Sequence, residues 1–526
     1  MRKSGALAAD TELSSIIPSS ALGALFKPLS FLFAEGGDAR LTVDPVNAEN
    51  IYGCSPHPCP GTLAFSSSTA TSVSERAYQR TRRARGELIN ASVFLGLTNA
   101  FDWRVEGMRQ SLRSLLGLGS AEVMFSPSGT DSQLQTLFLL RQLLGGPVAS
   151  VVVAADQTGS GTVHTCRGRH FSDRTAQGRT VAKGTLIVGA TEETTSVAIP
   201  LFAEDGALRL KHEIDAAVIK AVETQIHAGC KVVLQAMHSS KLGWRAPTDD
   251  CLREVASRWP QDVRIVVDAC QMRIGRPQLR SYLDHGYVVL LTGSKFFTGP
   301  AFSGATLWPY ALSDRIAAME APPNGLADYA TRFDLPLRWS SMRSALSSEP
   351  NFGQWLRWEA SLEEMAAYYA IPEPFRQSAL GRLAEAARSI IGSSTNLKLL
   401  AGQTPDAGDI PATIFPFFVS NGARTVGFEE MTKIYRLLNR NLSAALPETA
   451  AEEDRAFASL KCHVGQPVKL PCGTVLRISI SARTLSEAWS EDACAAERNL
   501  CAVIDEISTV VRKIGLIIAA NLARQT

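Results

Sequence analysis

Two side chains set the chemistry open to this sequence. Lys295 stands in LLTGSKFFTGP (290–300) and Asp268 in VVDACQMRIG (266–275). Each stretch reads as a buried apolar strand running into a polar turn, so an amine and a carboxylate end successive strands. A Lys at the end of a buried strand is costly as a bare charge, and desolvation makes its amine more nucleophilic. A shielded carboxylate such as Asp268 takes up a proton or needs a cation. One reagent answers both demands. It is an aromatic aldehyde that a Lys holds as a Schiff base while an acid keeps its ring nitrogen protonated, which is pyridoxal 5′-phosphate (PLP) chemistry. The structural alternatives are a snorkelling Lys and an Asp that caps the next turn.

Further residues fit around this pair. SPSGTDSQL (126–134) is a small-residue turn opening an apolar helix. Its free amides and hydroxyls, at Gly129 and Thr130, suit a phosphate, although Ser128 with Asp131 also makes an ordinary helix cap. Thr292 and Ser294 flank Lys295 and offer the same phosphate two hydroxyls. Gln271 is within reach of a phenolic oxygen on the cofactor, or is a surface turn residue. Arg477, in VLRISIS, matches a substrate carboxylate held by two parallel bonds, or lies on a strand edge in water. His238, Ser240 and Asp156 also fall at strand ends. No zinc spacing, paired carboxylates or P-loop appears, and no metal is expected. Cys54 and Cys59 read as thiols in a Pro-rich loop.

These residues need a frame to bring them together. Short apolar runs alternate with helices from about residue 101: strands at 149–156, 184–190, 231–240, 263–269, 287–294 and 303–309, with helices between them. The pattern predicts an α/β protein with a mainly parallel sheet flanked by helices, whose ligands sit at the carboxyl ends of the strands. A mixed order of helix and strand after residue 371 predicts a smaller α+β C-terminal domain. The expected division is an N-terminal extension (1–45), an N-terminal arm and site-lining segment (46–100), a large PLP-binding domain (101–335), a connecting helix (336–370) and the small domain (371–526). In the arm, the hydroxyls of Ser66 to Thr69 are placed to line a cleft. Arg80, Arg82, Arg83 and Arg85 are placed on a solvated helix face.

Composition bounds the rest. The 526 residues are 45% hydrophobic and 20% charged, ample for a large core. A net charge of +2 gives no general attraction to nucleic acid or to an anionic membrane, and neither is expected as a partner. No apolar run reaches the roughly 18 residues of a membrane span. Ten scattered Cys without an export signal predict a reducing cytoplasm.

With SGTDS, VVDACQ and TGSKFFTGP in this order, the chain resembles the fold-type I PLP enzymes, and within them the class V aminotransferase and cysteine desulfurase group. The resemblance covers roughly residues 60–310 well and 345–485 loosely. It implies a seven-stranded-type sheet, PLP as cofactor and a homodimer. It also implies phosphate binding by Gly129 and Thr130, an Asp-x-x-Gln pair at Asp268 and Gln271, and a Schiff-base Lys at Lys295 preceded by Thr292 and Ser294. An Arg-x-Ser carboxylate clamp is matched by Arg477 and Ser479. SSEPN (347–351) stands where the group has SGTPN, with Glu349 in place of a Thr that a neighbouring subunit lends to the phosphate. The group's ring-stacking His has no clear counterpart in DQTGSGTVH (156–164); Gln157, Thr158 and His164 remain candidates. The implied activity is amino-group transfer on an amino acid or related amine. The alternatives are a cysteine desulfurase or carbon–sulfur lyase, with Cys462 as a sulfur acceptor, and a non-catalytic binding or regulatory protein.

Overall fold

The computed structural model describes residues 21–159, 161–187, 194–401 and 410–525. Thirteen strands can be named there in chain order: β1 (Thr62–Phe65), β2 (Glu122–Ser126), β3 (Val148–Val153), β4 (Thr195–Ile199), β5 (Lys231–Met237), β6 (Val263–Asp268), β7 (Val288–Thr292), β8 (Gly304–Trp308), β9 (Leu397–Leu399), β10 (Ile414–Asn421), β11 (Arg424–Thr425), β12 (Lys461–Leu470) and β13 (Gly473–Ser479).

The larger sheet has seven strands in the order β2-β8-β7-β6-β5-β3-β4. The run from β7 to β4 is parallel, and β8 runs antiparallel to both of its neighbours. This matches the mainly parallel α/β sheet read from the sequence. β3, β7 and β8 are buried along their whole length, as strands covered by helices on both faces must be. In register, Met237 pairs with Asp268, Asp268 with Leu290, Thr292 with Gly304, and Gly304 with Ser126. That ladder brings the ends of β5, β6, β7 and β2 to one edge of the sheet.

The expected strand at 184–190 differs. Leu186 makes only an isolated bridge to Arg169, and 188–190 lie outside the described residues. The strand beside β3 is β4 instead. It is an edge strand with a half-exposed pattern, so its sequence, TSVAI, lacks a continuous apolar run. The smaller sheet runs β1-β12-β13-β10-β11, with β9 also on β10. β1 joins it in parallel, pairing residues 62–65 with 461–464, which draws the 46–72 loop over the cleft between the sheets. The helical Arg cluster is only partly solvated. Arg80 bonds buried Glu359 at 2.9 Å, and Arg85 donates to the Lys27 carbonyl at 2.9 Å.

The helix Phe352–Ala370 is buried over most of its length and runs behind the site. Within it, Arg357 is fully buried, and burial pulls its guanidinium down to about 9. Its Nε donates to the Phe302 carbonyl at 2.7 Å. Its Nη atoms donate to the carbonyls of Phe33 (3.0 Å), Glu35 (2.6 Å) and Gly36 (2.9 Å). One side chain thus ties two distant loops to one helix. Arg357→Met would take this donor from all four acceptors, of which only the Gly36 carbonyl keeps a second side-chain partner, Asn351. It should lower stability by about 3 kcal/mol in urea denaturation, and an unchanged midpoint would contradict this role.

Candidate active site

The turn after β7 carries Lys295 and is folded tightly. Gly293 N donates to the Ser303 carbonyl at 2.9 Å, and Gly299 N donates to the Gly293 carbonyl at 3.0 Å. A Cβ on Gly293 or Gly299 would lie 2.4 or 2.0 Å from Ser361, so both positions exclude a side chain. Thr298 and Phe302 take positive φ values of 58° and 71°, which only a well-held loop keeps. Lys295, half-buried, is thereby directed into a cavity of about 600 Å³ between the two sheets.

Asp268, the last residue of β6, lines the same cavity. Its Oδ1 accepts from Cys270 N at 3.0 Å, which fixes the carboxylate against its own turn. The 128–130 turn joins from β2. Ser128 Oγ accepts from Asp131 N at 3.2 Å and donates to Asp131 Oδ2 at 2.5 Å, so the capping arrangement is real and coexists with a place in the cavity wall. A Cβ on Gly129 would stand 2.7 Å from Cys270 Sγ, so only Gly lets this turn close on the β6 turn. Thr292 and Ser294 are buried in the wall, and Thr292 Oγ1 donates to the Cys270 carbonyl at 2.7 Å.

Arg477 enters from β13. It is fully buried, with Nη2 donating to Thr69 Oγ1 at 2.9 Å, while Nε and Nη1 have no partner. A Cβ on Gly465 would lie 2.6 Å from Arg477 Nε, so the glycine makes room for the guanidinium. Burial lowers its pKa to about 10, which still leaves it cationic near neutrality. Ser68 and Thr69 of the arm also line the cavity.

Seven of the eight site residues expected from sequence therefore line one cavity: Gly129, Thr130, Asp268, Thr292, Ser294, Lys295 and Arg477. Gln271 does not. Its Nε2 donates to the Ser68 carbonyl at 3.0 Å, and its Oε1 accepts from Arg273 Nη1 at 2.8 Å, which turns the amide into the wall. His238 packs edge-on against Tyr282. Ser240 Oγ accepts from Leu242 N and Trp244 N, and Asp156 accepts from Leu201 N. None of these three lines the cavity. In the 156–164 stretch the wall is made by Gly159, Gly161 and Thr162 rather than by Gln157, Thr158 or His164. Cys462 is buried in β12, and burial pushes its thiol up to about 11, where it is a poor nucleophile.

Sequence reading missed Arg40, Tyr52, Phe171, Lys183, Lys241 and Phe302 in the wall. Lys241 had a usable signal, since it follows the end of β5 as Lys295 follows β7. Its Nζ donates to the Thr158 carbonyl at 2.8 Å, and burial, with Arg477 and Lys295 nearby, pulls it down to about 8.

No family model and no curated protein matches the chain. Solved structures do match it in fold. TDC of Oryza sativa, crystallised with PLP, superposes with a TM-score of 0.50 at 14% identity, covering 86% of this chain and 83% of that one. The cysteine desulfurase CsdA of Escherichia coli gives 0.50 at 13% identity, covering 86% and 94%. The chain thus has the fold of the fold-type I PLP-dependent enzymes.

The Lys241 shift has a pH consequence. A Lys with its folded pKa below the unfolded value destabilises the fold while both states are protonated. That penalty fades as pH rises from about 8 towards 10.5. Lys241→Met should therefore raise the urea midpoint at pH 7, and the gain should shrink over that window. A gain independent of pH would contradict the shift.

Proposed function

We propose that this chain is a PLP-dependent enzyme acting on an amino acid or a related amine, with amino-group transfer as its reaction. The observation that carries the reading is the convergence of Lys295, Asp268 and the 128–130 turn on one cavity with a buried, half-unpaired Arg477. These donors fit the cofactor. The turn, at the start of helix Gly129–Leu144, offers amides and hydroxyls to a phosphate. Asp268 would hold the ring nitrogen, Lys295 the aldehyde carbon, and Thr292 and Ser294 the wall between them. When bound, PLP supplies an electron sink for the bonds at the substrate Cα.

The chain's own groups then choose which bond reacts. Arg477 lines the cavity with Nε and Nη1 unspent, a buried cation able to pair a substrate carboxylate, and such a charge-assisted pairing is worth more there than in water. In the transfer reading the carboxylate stays on the substrate, paired with that cation, and the Cα proton is the one that moves. Lys295 Nζ is the base that takes this proton and returns it. The desulfurase alternative loses support with Cys462 buried in β12. Cys270, the thiol in the cavity wall, is held well above its usual range by burial and by the Asp268 charge.

All ten Cys are free, which supports a reducing compartment. Among the described residues no helix is long and apolar enough to cross a membrane. A homodimer is supported by apolar side chains turned to solvent around the Gly96 corner: Val93 (76% exposed), Phe94 (87%) and Trp103 (67%). Light scattering should find a dimer that Phe94→Glu with Trp103→Glu converts to monomer; a monomeric wild type would remove this part of the reading.

The cofactor reading is tested by spectrum. Wild type mixed with PLP should gain an absorbance band near the visible edge that shifts on adding one of a panel of amino acids, and Lys295→Ala should lack both. A colourless wild type, or an unaltered band in the variant, would contradict the proposal and favour a non-catalytic protein.

A further inference from the structure

The segment before residue 45 does more than extend the chain. Leu29, Leu32 and Phe33 are buried, and the carbonyls of Phe33, Glu35 and Gly36 are held by Arg357. Asn351 Nδ2 adds a second bond to the Gly36 carbonyl at 3.0 Å. A Cβ on Gly353 would stand 2.1 Å from the Glu35 carbonyl, so the segment lies directly on the helix backbone. A short turn, Ala39–Leu41, follows and is capped by Asp38, whose Oδ1 accepts from Arg40 N at 2.9 Å.

This anchoring delivers Arg40 to the cavity wall beside Ser128, Gly129 and Thr130. Its Nε and Nη2 donate to the two Asp38 oxygens at 2.8 and 2.6 Å, which sets the orientation of the fork. Its Cζ lies 4.6 Å from the centre of the Phe302 ring and 5.7 Å from that of Phe171. Nη1 faces the turn and reaches Thr130 Oγ1 at 3.4 Å, and Nη2 reaches Ser128 Oγ and Thr130 Oγ1 at the same distance. Those contacts sit at the long limit of hydrogen bonding. An anionic oxygen on the cavity side of this cluster could accept from the guanidinium and the hydroxyls together, in shorter, charge-assisted bonds.

We propose that Arg40 is a ligand of the anion bound at the 128–130 turn, a phosphate monoester, and that residues 29–41 are a working part of the site. The assignment rests on the cofactor reading above, in which that monoester is the phosphate of PLP. The phosphate is then gripped from two sides: by amides and hydroxyls at a helix start, and by a planar fork carried on a segment nearly ninety positions earlier. Asp38 is a positioning residue that holds the fork flat against Phe302.

The test compares PLP with pyridoxal, which has the same ring and aldehyde but no phosphate. Binding of each is titrated by absorbance and protein fluorescence to wild type, Arg40→Gln and Arg40→Lys, with inorganic phosphate as competitor. Arg40→Gln should weaken PLP about 10- to 100-fold and leave pyridoxal within about two-fold, and phosphate should compete less well. Arg40→Lys, which keeps the charge and loses the fork, should retain part of the preference. A wild-type ratio of PLP to pyridoxal affinity in Arg40→Gln overturns the assignment alone. Equal loss of both compounds overturns it too, since that is the mark of a structural role. If Arg40→Gln does not fold, Arg40→Lys decides by the same ratio, and an unchanged ratio overturns the assignment. A wild type that binds neither compound overturns the cofactor reading together with it.

Discussion

The structure depends on the contact between helix Phe352–Ala370 and the turn that follows β7. Ser361 Oγ bonds Ser303 Oγ at 3.0 Å, Trp358 Nε1 donates to the Gly304 carbonyl at 3.0 Å, and Arg357 takes the Phe302 carbonyl. Two glycines let the turn lie against Ser361 with no side chain between. A Lys on a free loop would swing into water. Held from behind at several backbone points, Lys295 can only face the cavity. The same helix holds residues 33–36, so the amine and the proposed phosphate ligand share one support.

The second constraint is charge. Arg40, Lys183, Lys241, Lys295 and Arg477 line the cavity, against Asp38, Asp173 and Asp268. An excess of cations in a partly buried site favours anionic ligands, and the low local dielectric strengthens each pairing. It also raises a question of identity, since two lysines face one space. Burial pulls the Lys241 amine down to about 8, yet that amine is engaged with the Thr158 carbonyl. Lys295 stands on the strand next to that of Asp268, in the turn that the helix pins. Geometry favours Lys295 as the residue that carries an aldehyde.

Much of this was legible in the sequence because strand ends are legible. Asp268, Thr292, Ser294 and Lys295 each follow a continuous apolar run, and a parallel sheet gathers such ends at one edge. Gly129 and Thr130 were marked by a small-residue turn before an apolar helix. Gln271 was at the right place in sequence but aimed elsewhere, because Arg273 and the Ser68 carbonyl claim its amide; no local pattern announces such a competition. Arg40 was invisible for another reason. Its segment has little periodicity, and its position is set by Arg357 and Asn351, more than three hundred residues away. β4 was misplaced because an edge strand need not be apolar on both faces.

The most direct test of the central claim is chemical. Wild-type protein mixed with PLP is reduced with borohydride, digested and mapped by mass spectrometry. A pyridoxyl group is expected on the peptide containing Lys295 and none on that containing Lys241. A label on Lys241 in place of Lys295, or no label on either, would contradict it.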